Sequence, residues 1–259
     1  MPTLNSVDAR PVKLVAFDLD DTLAPSKSPL DPAMADLLIA LLKRVPVCII
    51  SGGQLGQFQM QVIDRLVDAD EAALARLHLM PTCGTQYYTH HDGQWHQIYA
   101  ENLSDDEKAR ALASVEKHAK ELGLWESETW GPILEDRGSQ ITFSALGQQA
   151  PVAAKSAWDP SGEKKSKLRD VVASDLPDLE VRSGGSTSVD ITRRGIDKAY
   201  GMRKLADLTS LSLDDMLFIG DRLDPDGNDY PVKALGVRCH AVTGWEDTAE
   251  YLRELIPTL

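Results

Sequence analysis

The stretch Val12-Lys13-Leu14-Val15-Ala16-Phe17-Asp18-Leu19-Asp20-Asp21-Thr22-Leu23 decides how the rest of the chain is read. Five of its first six residues are apolar, several of them β-branched or aromatic. Such a run reads as a strand of a parallel sheet with both faces covered. Three aspartates then follow within four residues. Carboxylates at the end of a buried strand are costly unless a cation or hydrogen bonds compensate them. In open α/β sheets that end is also where ligands sit. The simplest chemical reading is a divalent-metal site in which one aspartate attacks an electrophile. The plainer alternative is an acidic turn that stops the strand, for which Asp and Thr are well suited.

Downstream, strands and helices alternate. Asp31-Pro32 suits a helix start, and Pro32 to Arg44 has helical apolar spacing. Val45 to Ile50 reads as a strand running into Ser51-Gly52-Gly53. Gln54 to Val67 returns to helical period, and Leu77 to Met80 reads as a third strand. This order predicts right-handed βαβ units in a doubly wound sheet. Thr85 to Ile98 reads as a hairpin turning at His91-Asp92-Gly93. The character changes near Tyr99. Ser104 to Gly123 is a capped amphipathic helix, followed by two short strand-like runs, a helix over 163–173 and a strand over 179–182. A strand resumes at 186–191, then a helix at 197–208, a strand at 216–219, a strand at 237–242 and a closing helix at 246–255. The expected architecture is an α/β fold: a doubly wound core of residues 1–98 and 188–259 with an inserted α/β cap of residues 99–187.

The net charge of −13, from 27 basic against 40 acidic residues, argues against a nucleic-acid or anionic-membrane surface. An anionic substrate would need a few local cations and a metal. Cys48, Cys83 and Cys239 are far apart and form no Cys-x-x-Cys pair, which fits reduced thiols in a cytoplasmic protein. Met1 to Arg10 lacks the apolar core of a signal peptide. No apolar stretch is long enough to span a bilayer.

Four features fall at the carboxyl ends of predicted core strands: Asp18-Asp20-Thr22, Ser51, Lys198 and Asp221. Each has a plain reading. Ser51 serves equally well as a helix cap. Lys198, in a first helical turn, reads alone as a solvated residue. Asp221 behind a buried strand calls for a cation. Asp224, Asn228 and Asp229 lie in a Gly/Pro-rich loop, where turn formation alone suits Asp and Asn.

Taken together, Phe17 to Leu23, Ile49-Ile50-Ser51-Gly52, Asp197-Lys198, and Gly220-Asp221 with Gly227-Asn228-Asp229 resemble the haloacid-dehalogenase-like superfamily of phosphotransferases. The resemblance implies a Rossmann-like core, Mg²⁺ as cofactor and an aspartyl-phosphate intermediate. It makes Asp18 the nucleophile. Asp18 and Asp221 would hold Mg²⁺ through carboxylates and Asp20 through its backbone carbonyl, with Asn228 and Asp229 in the outer shell. The Asp20 side chain would protonate the leaving oxygen and then activate the acceptor. Ser51 and Lys198 would bind phosphoryl oxygens, and Lys198 would keep Asp18 ionised. Asp21 stands where the family has glycine, so its side chain is expected to point away.

Within the superfamily the chain is most similar to the eukaryotic-type phosphomannomutases, which carry a type IIB cap. The shared pieces are Pro81-x-x-Gly84, Arg137 to Gly147, Gly184 to Asp190, and Gly195-Ile196-Asp197-Lys198. In that family, cap arginines hold the sugar's second phosphate and a Ser-x-Asp pair holds hydroxyls. Arg137, Ser188 and Asp190 match, so they and the two lysines Lys27 and Lys155 form the implied substrate set. Lys27, Gln148 and Lys155 replace family arginines, and neither Lys nor Gln binds phosphate bidentately. On the residues alone, Arg137 also reads as a surface residue in a Gly-Ser turn. Ser188 and Asp190 share one strand face and either line a cleft or pair with backbone. His90, His91 and His96 read as solvated hairpin residues. The weakened second phosphate site suits hydrolysis. The expected function is a Mg²⁺-dependent phosphatase for a small phosphorylated metabolite such as a sugar phosphate. A phosphohexomutase is the alternative, and a non-catalytic phospho-ligand sensor the second.

Overall fold

A computed structural model describes residues 11–259. The stretch Met1–Arg10, read above for a signal peptide, lies outside the described residues. In chain order the elements are β1 (Leu14–Phe17), α1 (Pro32–Leu42), β2 (Val47–Ile50), α2 (Leu55–Gln61), α3 (Glu71–Leu74), β3 (Leu77–Met80), β4 (Gln86–His91) and β5 (Gln94–Ala100). Then follow α4 (Asp105–Glu121), β6 (Leu134–Asp136), β7 (Gln140–Ser144), α5 (Val152–Trp158), α6 (Glu163–Asp175), β8 (Leu179–Ser183) and β9 (Ser188–Arg193). The chain closes with α7 (Lys198–Thr209), β10 (Met216–Gly220), α8 (Tyr230–Ala234), β11 (Arg238–Ala241) and α9 (Trp245–Leu255).

Two compact units form: one runs to Tyr99 and resumes at Asp197, the other is Ala100–Ile196. The first is built on a seven-stranded sheet in the order β11-β10-β1-β2-β3-β4-β5. The strands from β11 to β3 are parallel, and β4 turns back antiparallel on β3. β1 lies inside the sheet, and its four residues are all fully buried. Alternation along it sends Val15 and Phe17 into one apolar cluster with α1 and α9, and Leu14 and Ala16 into another with α7. Two covered faces explain why the strand shows no polar alternation. α1 starts where its sequence says: Asp31 Oδ1 accepts from Ala33 N at 2.9 Å ahead of Pro32. In the β4–β5 hairpin, Asp92 and Gly93 both have positive φ (52° and 73°), as a two-residue primed turn requires.

The second unit is a four-stranded antiparallel sheet, β6-β7-β9-β8. Ile141, Phe143, Val189 and Ile191 pack with Ala111 and Val115 of α4 and Leu168 and Val172 of α6. The alternate residues Gln140, Thr142, Ser144, Ser188, Asp190 and Thr192 share the opposite face. α4 has a full capping box, Ser104 with Glu107.

Two expectations change here. The insertion ends at Ile196, not at 187, because β9 is hydrogen-bonded on both sides within the second sheet. Ser188 and Asp190 therefore belong to that sheet and not to the first. The helix expected over 54–67 ends at Gln61 and gives way to a 3₁₀ turn at Ile63–Arg65.

Candidate active site

Asp18 follows β1 directly, and its N–H still donates to Ile219 O of β10 at 3.0 Å. Asp221 follows β10 in the same way. Parallel pairing of β1 with β10 thus brings the two carboxylates to one edge of the sheet. The loop after Asp221 folds back and buries Asp229, whose Oδ2 accepts from Arg222 N at 3.1 Å. Asp18, Asp221 and Asp229 each offer an oxygen within 4.8 Å of the others.

Lys198 opens α7, capped by Asp197 Oδ1 on Tyr200 N at 2.8 Å. Its side chain is 1% exposed, which removes the solvated reading. Nζ lies 2.6 Å from Asp18 Oδ1 and 2.6 Å from Asp229 Oδ1. Asp18 Oδ1 also accepts from Leu19 N at 2.6 Å, while Oδ2 accepts from no donor among the described residues. Burial pushes the Asp18 carboxyl up to about 8, against the pull of Lys198. Burial and the neighbouring Asp229 also raise Asp221. Burial works against the charge on Lys198, but Asp18 and Asp229 outweigh it and its affinity for the proton rises.

When ionised, three carboxylates around one ammonium leave two negative charges unbalanced. A hard divalent cation balances that surplus, and an all-carboxylate donor set suits Mg²⁺. The residues therefore fit the cofactor. Asp229, expected in the outer shell, is buried within this carboxylate cluster. Its neighbour Asn228 is exposed.

The loop between Asp20 and Lys27 is tied to itself. Asp21 N donates to Ala24 O at 2.7 Å, and Asp21 Oδ1 accepts from Ser26 N at 3.0 Å. Asp21 is exposed, with φ at 60°, a conformation that explains glycine in the family and that Asp tolerates. The Asp20 carboxylate accepts from Lys27 N at 2.7 Å, Gln57 Nε2 at 3.0 Å and Gln61 Nε2 at 3.1 Å. Thr22 Oγ1 lies 3.2 Å from Asp221 Oδ1 and accepts from Asp221 N at 3.1 Å. Thr248 Oγ1, on α9, donates to Thr22 O at 2.7 Å. Ser51 is buried, and its Oγ accepts from Gly53 N at 3.2 Å.

In the second unit Arg137 is half-buried, with its side chain only 9% exposed, and donates to Glu135 Oε2 at 2.7 Å, which weighs against the surface-turn reading. Asp190 Oδ1 accepts from Thr142 Oγ1 at 2.7 Å, and Ser188 Oγ lies 3.3 Å from Ser144 Oγ. Lys155 Nζ donates to Gln148 O at 2.8 Å, and Gln148 Nε2 to Ser144 Oγ at 2.6 Å. His91 is exposed and stacks on the half-buried His96, but His90 is buried with Nδ1 3.2 Å from Glu71 Oε1, contrary to the solvated reading.

Sequence reasoning missed Gln57, Gln61 and Thr248. Glutamine and threonine on helices carry no motif, and only the fold brings them to the aspartates. A helical spacing of four between the two glutamines was the one available signal.

The profile of the family described as eukaryotic phosphomannomutase matches residues 34–258. A spinach (Spinacia oleracea) phosphomannomutase is 26% identical over 262 residues, covering 96% of this chain and 98% of that protein. Human (Homo sapiens) phosphomannomutase 1 is 25% identical over 252 residues, covering 93% and 91%. Among solved structures, an N-terminally truncated Plasmodium falciparum IMP-nucleotidase matches with TM-score 0.71 at 15% identity, covering 95% of this chain and 70% of that one. A haloacid dehalogenase-like hydrolase from Bacteroides thetaiotaomicron matches with TM-score 0.59 at 14% identity, covering 94% and 99%. At these identities the two structures speak for the fold alone.

Proposed function

The chain belongs to the eukaryotic phosphomannomutase family, and from that premise we propose that it hydrolyses a sugar monophosphate through a phosphorylated Asp18. It is a phosphoryl-transfer enzyme of the haloacid-dehalogenase-like superfamily. Asp18 Oδ2, open to phosphorus, attacks the phosphoryl group while Lys198 holds Oδ1. Lys198 and Ser51 bind phosphoryl oxygens. Asp20 gives a proton to the leaving sugar oxygen and takes one from the water that releases phosphate. Asp18, Asp221 and Asp229, with the Asp20 carbonyl, would hold Mg²⁺, which would supply positive charge against the charge that develops on the phosphoryl group. Ser188 and Asp190 recognise sugar hydroxyls.

One observation carries hydrolysis over mutase chemistry. Where the family places arginines, Gln148 is neutral, Lys155 is engaged by the Gln148 carbonyl, and Arg137 is paired with Glu135. The remaining replacement, Lys27, is a point charge and lacks the guanidinium fork. A mutase must hold two phosphates at once, and this cation set suits one. Family membership favours the second reading, a phosphohexomutase. The experiment follows mannose 1-phosphate and glucose 1-phosphate with Mg²⁺, with and without hexose 1,6-bisphosphate. Free phosphate without bisphosphate is expected. Bisphosphate-dependent hexose 6-phosphate, formed faster than phosphate, would establish the mutase, and neither product would support the sensor.

A further inference from the structure

Gln57 and Gln61 are four residues apart on α2 and lie on one helix face. Both reach Asp20, and they leave its carboxylate unsymmetrical. Oδ1 accepts from Lys27 N and Gln61 Nε2, whereas Oδ2 accepts from Gln57 Nε2 alone among the described residues.

The two amides are not equivalent. Gln61 is fully buried, and its Nε2 also donates to Ser28 O at 2.9 Å. Both hydrogens of that amide meet acceptors, so turning it over would set Oε1 against two oxygens. The orientation is kept although Gln61 Oε1 accepts no hydrogen bond among the described residues, an unfavourable state for a buried acceptor. Gln57 is half-buried and holds Asp20 by one bond. Its amide occupies space left by Gly53, where a Cβ would come within 2.3 Å of Gln57 Oε1.

We propose that Gln61 and Gln57 are positioning residues for Asp20: Gln61 locks the Oδ1 edge, and Gln57 holds Oδ2 until a substrate oxygen replaces it. The inference rests on the phosphoryl-transfer reading of Asp20. In the first half-reaction the bond between phosphorus and the sugar oxygen breaks as Asp18 bonds phosphorus, and the proton on Asp20 Oδ2 passes to the sugar oxygen. In the second, the oxygen of water bonds phosphorus, the bond to Asp18 breaks, and a proton from that water passes to Oδ2. Both transfers use the oxygen that Gln57 can vacate.

The test compares two esters in the full chain with Mg²⁺. One is whichever of mannose 1-phosphate and glucose 1-phosphate turns over faster, whose leaving oxygen needs a proton. The other is p-nitrophenyl phosphate, whose leaving group needs none. For kcat/KM, Gln61→Met is expected to lower the sugar phosphate about 10-fold more than the aryl phosphate, a part of the roughly 10²–10⁴-fold that a general acid contributes. Gln57→Met is expected to show a smaller bias, because substrate displaces that side chain anyway. Gln61→Asn keeps a buried amide but withdraws it from Asp20, and serves if the methionine variant does not fold. Equal losses on both esters in a folded Gln61 variant, or a larger bias in Gln57→Met, would overturn the proposal. A wild-type chain inactive on both esters would instead overturn the phosphoryl-transfer reading beneath it.

Discussion

Asp18, Asp229 and Lys198 share one buried contact network, and substitutions of Asp18 and Lys198 are expected to act in opposite senses. Asp18→Asn is expected to abolish turnover on sugar phosphates. It should leave the metal-free protein at least as stable as wild type, because it removes one of three crowded carboxylates. Activity and thermal unfolding measured together, with EDTA present in the melt, check both halves. Lys198→Met should act in the opposite sense. It strands two buried carboxylates, an effect of about 3–5 kcal/mol when one partner of a buried pair is removed. Added Mg²⁺ should recover part of that loss, and a denaturation midpoint indifferent to Mg²⁺ would contradict the charge balance argued here. That Asp18, Lys198 and Asp221 lie at strand ends and a helix start was legible from the sequence, because each follows an apolar run or opens a helix. The burial of Asp229 within the cluster was not, since an aspartate in a Gly/Pro loop looks like any turn former until the loop is seen to bury it.

Elements position these residues through contacts that a substitution can probe. α7 carries Lys198 and lies against the turn at 82–84, where a Cβ on Gly201 would come within 2.8 Å of Cys83 O and 2.2 Å of Ile50 Cδ1. Gly201→Ala should therefore lower stability by about 1–3 kcal/mol through overpacking and, by displacing α7, also reduce kcat. Urea unfolding and steady-state kinetics on the same preparation check it. On α4, Glu107 caps the helix and pairs with Arg193, with Nη2 to Oε2 at 2.8 Å. The Arg193 hydrogen bond and the Ser104 N–H hold its carboxyl at about 2, below the 4.5 of the free side chain. The folded state thus binds fewer protons there, and the contribution is complete above 4.5 and fades as pH falls toward 2. Glu107→Gln keeps the capping geometry but not the ion pair. It should melt lower at pH 7, by about 0.5 kcal/mol for an exposed pair, with the gap closing on acidification. Strands and long helices were readable from apolar period and caps. α5 was not, because only Trp158 of its seven residues is buried and no side chain caps it.

At the scale of the whole chain, the alternation of strand and helix led to the doubly wound sheet, and the change of character near Tyr99 marked where the insertion begins. Its end was misread. The period of β9 announces a strand but not which sheet it joins, and that depends on hydrogen bonds to β7 and β8 that no local pattern encodes. The core of the insertion draws wholly on its own residues, from Leu103 to Ile191. Residues 100–196 expressed alone are therefore expected to fold, with dispersed amide resonances and a cooperative melt. A broad, non-cooperative transition would show that this core does not suffice.

The loop from Asp20 to Lys27 closes on itself through Asp21 N to Ala24 O, Ser26 N to Asp21 Oδ1 and Lys27 N to Asp20 Oδ1. In calorimetric terms, an arriving anion finds this segment already frozen. Little backbone entropy is left for that loop to lose on binding, so its share of the entropy change is set by the water the anion displaces.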